Sequence, residues 1–309
     1  MTKLLKGEGF LNRYRFTGTL CTLSPLHIGT GEAVSDKKYY SADELKEFDE
    51  KKQEIPKVST VIRGFNKKPL IPGSTLRGVT RHWLLSVLSG FGEDWAASHD
   101  YEDKEYTEAD QDAQIAQVKE EFSWLELLFG TPLHEGKIEF WDAVCTTNSI
   151  KTSDKLLGWD PETLTYVDTS VAIDPRTGTA VENLLYKAEV VPPGVEFEFN
   201  LVGQNLSDFE IGLVLMALQG FNSEIYPIEV GARSGRGYGR VQFTPGLIYG
   251  LDADQLSAWA SGLLQSFGDG ANEAGYFALP QLSPKEQQSL LQRAKSTLRA
   301  ELEHNDVQS

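Results

Sequence analysis

Two arginine-bearing stretches have residue types and spacing suited to holding phosphate groups. The first, IPGSTLRGVTRHW, places Ser74 and Thr75 at the predicted start of a helix, where unpaired backbone N–H groups and the positive end of the helix dipole can bind an anion. Arg77 and Arg81 are four residues apart, so they share one helix face and can reach consecutive phosphates. The alternative is an ordinary helix, with Ser74 as its N-cap and with solvated arginines.

The second stretch, GARSGRGYGR, sets Arg233, Arg236 and Arg240 among glycines, which allow a backbone to approach a phosphate closely. Tyr238 in the same stretch has a ring that can stack on a base. The stretch lacks the Lys-Ser/Thr ending of a P-loop, and its glycine spacing does not fit a dinucleotide fold. A plain glycine-rich hairpin turn is the alternative to a phosphate-binding loop.

A single histidine, His27 in PLHIG, has a side chain that titrates near neutral pH and can do acid–base work on RNA. The alternative is a hydrogen-bonded structural histidine. Spacing does not decide between the two.

The elements that must position these residues alternate between strands and helices. RYRFTGTL, KIEFWDAVC, VEFEFNLVG and RVQF read as strands. Apolar residues at three- and four-residue spacing predict helices from Ser74 to about Gly90 and from Ser207 to Gln219. This order predicts an α+β fold with a ferredoxin-like (RRM-like) βαββαβ core, which many functions share.

Long additions surround this core. We expect one RNA-binding domain over residues 1–250 with insertions at about 33–57 and 93–121, and a helical C-terminal extension over 251–309. The first insertion mixes both signs of charge and reads as a solvated loop with a short helix near 42–48. The extension reads as two helices joined by a linker.

The net charge of −16 would argue against a nucleic-acid partner if it were evenly spread. It is concentrated in residues 93–121, with a net charge of −9, and 251–309, with −4, so the rest is close to neutral. Cys21 and Cys145 have neither zinc-ligand spacing nor a disulfide pattern. No apolar run is long enough for a membrane span and the start lacks a signal peptide, so we expect a cytoplasmic protein without a membrane partner.

Five stretches together are more specific than any one of them. They occur in the order LSPLHIGTGE, VIRGFNKKPLIPGSTLRGVTRHWL, LFG with GKIEFWDA, VAIDPRTGTAVENLLYKAEVVPPGVEFEF and GARSGRGYGRVQF. That order resembles the RAMP superfamily of CRISPR-associated proteins over about residues 10–245. Within it, the chain is most similar to the backbone subunits, Cas family seven, of type III effector complexes.

The resemblance implies an antiviral ribonucleoprotein subunit that binds guide RNA (crRNA) opposite target RNA and stacks on other effector subunits. It also implies a thumb-like β-hairpin that displaces a guide nucleotide, with Arg176, in IDPRTG, in or beside this thumb. The turn carrying Ser74, Thr75 and Arg77 and the glycine-rich loop would contact guide phosphates.

Similar subunits cut target RNA with a divalent metal and an aspartate, so Mg²⁺ or Mn²⁺ would be the cofactor here if the subunit cuts. The matching position is Val58, which cannot ligate a metal. We therefore take Asp36, the acid nearest the HIGTG loop, as the candidate catalytic residue, with Asp43, Asp49 and Glu54 behind it. The alternative is that these acids form a solvated face.

Three functions remain open at this point. The first is a guide-binding backbone subunit, with or without cutting. The second is a metal-independent guide-processing endonuclease that uses His27. The third is an adaptor subunit that makes no direct contact with RNA.

Overall fold

The computed structural model of the chain describes residues 3–97, 119–150, 156–173, 176–177, 180–265 and 279–306. The strands are β1 Asn12–Thr22, β2 Gly29–Val34, β3 Val58–Val61, β4 Leu70–Ile71, β5 Gly130–Thr131, β6 His134–Glu135, β7 Ile138–Phe140, β8 Ala143–Val144, β9 Tyr166–Ile173, β10 Ala180–Val190, β11 Glu196–Gln204 and β12 Val241–Asp252. The helices are α1 Ala42–Glu50, α2 Gly73–Leu88, α3 Glu93–Ala96, α4 Trp124–Phe129, α5 Asp208–Gly220, α6 Leu256–Gln265 and α7 Pro284–Asp306. Among the residues described, no helix is both long and apolar enough to cross a bilayer.

The central sheet confirms the predicted fold class. Its strand order is β12-β1-β11-β7, and every neighbouring pair is antiparallel. Helix α2 connects β1 to β7 and α5 connects β11 to β12, which is the βαββαβ arrangement of a ferredoxin-like fold.

The alternation of side chains along β1 explains how this sheet acquires a core. Tyr14, Phe16 and Leu20 point to one face and are buried, whereas the residues between them are half-buried. Phe197 and Phe199 of β11 are buried in the same core. The two-residue period seen in the sequence therefore identified the buried face correctly.

A second sheet has the order β2-β3-β10-β9 and contains the predicted thumb-like hairpin. Strands β9 and β10 pair antiparallel from Tyr166 opposite Val190 to Ile173 opposite Ala180. Half of the stretch 173–178, which the resemblance places in or beside this thumb, lies outside the described residues.

The insertion at 33–57 is more ordered than the predicted solvated loop. Ser41 and Glu44 form a capping box that starts α1, so the short helix expected there is confirmed. Tyr39 packs with the buried Val58. Lys187 of β10 donates to a Glu44 carboxylate oxygen at 2.7 Å, which ties the insertion to the hairpin.

The other insertion, 93–121, is described only at its ends. Residues 98–118 lie outside the described part of the chain. Trp95 of α3 is buried in the main core, where its ring packs edge-on against Phe209 of α5.

The last helix packs on the ferredoxin-like core. Leu290, Ala294 and Leu298 of α7 belong to the main hydrophobic cluster. A β-carbon at Gly212 of α5 would lie 2.7 Å from the Leu298 Cβ, so a glycine is required for the close approach of the two helices. The two predicted C-terminal helices are confirmed, and α7 belongs to this core.

The outer edge of β12 is bonded at Phe243, Ile248 and Gly250. The Asn222 side-chain amide bonds both the N–H and the C=O of Phe243, each at 2.9 Å. Gly250 donates to the Pro280 carbonyl at 2.9 Å and Leu282 donates to the Ile248 carbonyl at 3.0 Å. Pro245, between these points, has no N–H to offer.

Candidate nucleic-acid interface

The glycine-rich loop, residues 231–239, is pressed against the loop that carries His27. Ala232 donates to the His27 carbonyl at 2.8 Å, and Gly239 donates to the Pro25 carbonyl at 2.9 Å. Gly231 has a φ of +84°, and a β-carbon there would overlap the His27 carbonyl oxygen. Two stretches more than 200 residues apart in the sequence therefore pack together, and glycine at position 231 is required for this close approach.

The arginines of this loop differ in exposure. Arg233 adopts a left-handed conformation, with φ +69°, and leads into a short 3-10 turn that ends at Arg236. Arg236 is exposed, whereas Arg233 and Arg240 are half-buried. Arg240 also accepts from the Leu23 N–H through its carbonyl at 2.8 Å. Arg236 is therefore the loop cation that solvent, or an RNA phosphate, reaches most directly.

Tyr238 points inward from the glycine-rich loop. Its ring is buried and its hydroxyl donates to the Asp168 carboxylate on β9. Burial, together with this hydrogen bond, raises the pKa of Tyr238 to about 12. In this position the side chain joins the loop to the hairpin. Stacking of Tyr238 on a base stays a prediction.

His27 is held at the same junction. Its Nδ1 lies 2.7 Å from the Glu189 carbonyl oxygen and its Nε2 lies 3.3 Å from the Ser59 hydroxyl. Burial lowers the pKa of His27, and the Arg233 charge lowers it further. These contacts correspond to a neutral ring that donates through Nδ1 and accepts from Ser59. The ring of His27 is buried behind the loop. Contact of His27 with RNA stays a prediction.

The base of the thumb-like hairpin contains a buried ion pair that sequence reasoning missed. The Glu189 carboxylate accepts from the Arg63 guanidinium, from the Val61 N–H at 3.0 Å and from the Thr165 hydroxyl at 2.7 Å. The sequence did contain a signal for this pair, since Arg63 in VIR and Glu189 in AEVV are charged residues next to apolar ones. A charge that is buried with apolar neighbours requires a partner of opposite sign.

Helix α2 begins differently from the sequence prediction. Pro72, not Ser74, is the N-cap residue, so the predicted cap at Ser74 is wrong. The Gly73 N–H donates to the Asp142 carboxylate at 2.8 Å, and a β-carbon at Gly73 would overlap the Phe140 carbonyl oxygen. A carboxylate from a distant loop therefore meets the positive end of this helix.

The predicted phosphate-binding side chains of α2 are only partly free for RNA. Ser74 is exposed and Thr75 is half-buried. Arg77 donates to the Phe129 carbonyl, and its guanidinium lies 5.7 Å from the centre of the Phe129 ring. Burial and the neighbouring Arg81 charge lower the pKa of Arg77.

Helix α2 and the glycine-rich loop line a common cleft of about 380 Å³. Gly78 and His82 face it from α2, Ser234 faces it from the loop, and Tyr226 closes one side. The structure thus brings together two of the predicted stretches. Arg176 is exposed within the described pair 176–177, near the tip of the hairpin.

The candidate catalytic acid lies close to the expected position but does not form a metal site. Val34 pairs with Val58, so Asp36 lies two residues beyond the partner of Val58 in the chain. Asp36 is exposed and accepts from the Lys38 N–H at 3.0 Å, and Val58 is fully buried. Within the described residues no group of three or more His, Cys, Asp or Glu could hold a metal. One carboxylate by itself does not fit a bound Mg²⁺ or Mn²⁺.

The family comparison supplies the assignment. A protein-family model of the RAMP superfamily matches residues 19–242. The chain belongs to the RAMP superfamily. The matched region runs from the end of β1 to the start of β12, so it covers most of the βαββαβ core of this RAMP protein together with the thumb-like hairpin. A search of curated proteins finds no match.

Membership in the RAMP superfamily indicates a CRISPR-associated subunit that binds RNA. RAMP proteins generally work within multi-subunit CRISPR complexes. The cleft between α2 and the glycine-rich loop lies within the matched region.

Proposed function

We propose that this RAMP protein is a guide-RNA-binding backbone subunit of a type III-like CRISPR effector complex. The observation that supports the proposal most directly is the shared cleft, because Ser234 of the glycine-rich loop and Gly78 of α2 line it together. Tyr238 also fastens this loop to β9. A guide strand bound at the cleft would therefore lie beside the base of the hairpin.

The charge distribution is compatible with this role despite the net charge of −16. Residues 93–121 and 251–309 contain most of the excess acid. Arg236 is exposed on the glycine-rich loop and Arg81 of α2 is half-buried, and both lie outside the lining of the cleft, which includes Glu229. Phosphate neutralisation by such cations supplies much of the affinity of RNA-binding proteins.

The proposed partners are guide RNA, target RNA paired with it, and other effector subunits. The β9–β10 hairpin would act on the guide strand as a thumb, with Arg176 near its tip. Acidic segments of the chain would face away from RNA or meet a basic neighbouring subunit.

The test is guide binding by the assembled complex with Arg236→Ala, measured over a series of salt concentrations. Loss of one phosphate contact should weaken binding and reduce the slope of log K against log salt by about 0.7. Arg299→Ala, an exposed arginine of α7, is the matched control and should change neither quantity. Binding by Arg236→Ala equal to wild type at every salt concentration would remove the loop from the interface.

Cutting of target RNA by this subunit stays a prediction. Asp36→Ala in the assembled complex, with Mg²⁺ or Mn²⁺ present, tests it by mapping each cut in the target. Loss of one cut among several would make Asp36 part of a cutting centre completed by RNA. An unchanged pattern would direct the search to Asp43, Asp49 and Glu54.

The other two functions have distinct signatures. Cleavage of repeat RNA in EDTA, abolished by His27→Ala, would indicate a guide-processing endonuclease. RNA binding that survives replacement of both Arg77 and Arg236 by Ala would indicate an adaptor. Both nitrogens of His27 are already occupied by protein groups, which favours the backbone subunit over the processing enzyme.

A further inference from the structure

A tight hairpin between β3 and β4 presents Phe65 to solvent. The ring is fully exposed. Gly64 donates to the Lys68 carbonyl at 3.0 Å and Lys67 donates to the Gly64 carbonyl at 3.0 Å, so the turn is closed on itself. A large aromatic side chain is therefore displayed on a closed backbone turn, without protein packing around it.

The root of this hairpin is fixed to two neighbouring segments. Arg63, at its start, is the partner of the buried Glu189. The Lys68 ammonium donates to the Thr147 carbonyl at 2.6 Å and to the Asn148 side-chain oxygen at 3.0 Å. Because these contacts already order the backbone, a ligand of Phe65 would meet a preorganised tip.

The charges around Phe65 select the kind of ligand. The hairpin RGFNKKP contains three cations and no acid. Lys67 pairs at 2.9 Å with Glu162, but both side chains are largely exposed, so this pair is weak and easily exchanged. An apolar protein pocket that received Phe65 would have to bring Lys67 close to an apolar surface, whereas a nucleic acid offers a base face and phosphates together.

We propose that Phe65 stacks on an unpaired base of single-stranded RNA, with Lys67 on an adjacent phosphate. This site is separate from the glycine-rich loop and α2, and it extends the proposed function by a further contact at the base of the thumb-like hairpin. Aromatic–base stacking tolerates any base, so the contact would add affinity without selecting a sequence.

The experiment compares Phe65→Ala, Phe65→Leu and Phe65→Trp in the full chain, assembled as in the complex, for binding to single-stranded RNA that carries 2-aminopurine. We expect Phe65→Ala and Phe65→Leu to bind about tenfold more weakly and to leave 2-aminopurine unquenched. Phe65→Trp should restore affinity and quenching. Leu264→Ala, an exposed apolar residue of α6, is the control and should bind as wild type.

Two results would overturn the proposal. Affinity of Phe65→Ala equal to that of wild type would mean that the ring does not touch RNA. Full affinity in Phe65→Leu would mean that apolarity, and not stacking, matters, as for docking on protein. Thermal unfolding should be the same in all variants, because the exposed ring makes no packing contribution.

The same series separates this proposal from the proposed function. Arg236→Ala should reduce the salt dependence of binding, whereas Phe65→Ala should leave it unchanged. If Arg236→Ala does not change RNA binding and Phe65→Ala weakens it, the glycine-rich loop is not part of the interface and the stacking site is supported. The reverse result would leave the loop interface intact and remove Phe65.

Discussion

The helix-opening turn of α2 and the glycine-rich loop look alike as sequences but differ in how they use their polar groups. In the turn, Gly73 donates to Asp142 and Arg77 donates to Phe129, so the protein itself takes up part of the anion-binding capacity. In the loop, glycines hold the backbone and Arg236 extends into solvent. The turn thus spends its polar groups on the fold, whereas the loop leaves the Arg236 side chain available to a ligand.

The largest effect should come from crowding the turn. In Gly73→Ala the new methyl group would overlap the Phe140 carbonyl, so we expect the free energy of unfolding to fall by about 1–3 kcal/mol. Gly235→Ala, in the loop, meets no atom within 4 Å and should change stability by less than about 0.5 kcal/mol. Denaturant unfolding of both variants measures the difference. Equal stabilities would mean that the turn is not tightly packed on β7.

Arg77→Ala should lower stability and RNA affinity together. Removing the guanidinium leaves the Phe129 carbonyl without this donor, at an expected cost of about 1 kcal/mol. Arg236→Ala should lower affinity and leave the unfolding temperature unchanged. A variant of Arg77 that keeps full stability would show that its bond to Phe129 is not formed in solution.

The contribution of His27 should depend on pH. Because burial lowers its folded pKa below the unfolded value of about 6.5, the unfolded chain binds the proton more readily. The stability that neutral His27 provides is therefore complete above about pH 6.5 and is lost as the pH falls through the folded pKa. The stability difference between wild type and His27→Gln should shrink between about pH 7 and pH 5.

Urea unfolding at several pH values measures this difference. His82→Gln, at an exposed histidine of α2, is the matched control for the substitution itself. If the stability difference between wild type and His27→Gln stays constant over this pH range, the His27 ring is not buried in solution as it is in the structure.

The smallest effect is expected at Ser74. Since Pro72 occupies the N-cap position, Ser74→Ala should change stability by less than about 0.5 kcal/mol. Ser207, which forms a capping box with Glu210 on α5, provides the comparison, and Ser207→Ala should cost about 1 kcal/mol. A larger loss at Ser74 than at Ser207 would contradict the assigned start of α2.

Local patterns in the sequence were enough for the central sheet, its two helices and the fold class, but they did not predict the strands β2, β3, β9 and β10 of the second sheet. A buried face repeats every two residues along a strand and every three to four along a helix. The apolar residues of β1, α2 and α5 follow these periods and therefore indicate which face is buried. Ser207 was recognisable as the start of α5 because it directly precedes these spaced apolar residues.

Contacts between distant segments could not be read in this way. Asp142 meets a residue 69 positions away and Glu189 meets one 126 positions away, and no spacing rule connects them. The left-handed glycines on either side of Tyr238 turn its side chain toward Asp168, which is 70 positions away, and no local pattern indicates this contact. The tertiary fold decides which polar groups pair across the chain. The candidate interface depends on these pairs.

The occupied edge of β12 limits how copies of this protein can join. A neighbouring strand that tried to extend the central sheet would find the backbone groups of Phe243 and Gly250 already bonded and no donor at Pro245. A contact at this edge must therefore run through side chains. In the assembly proposed above, a neighbouring subunit at this edge would be held by surface complementarity and by the RNA, and not by adding a strand to β12.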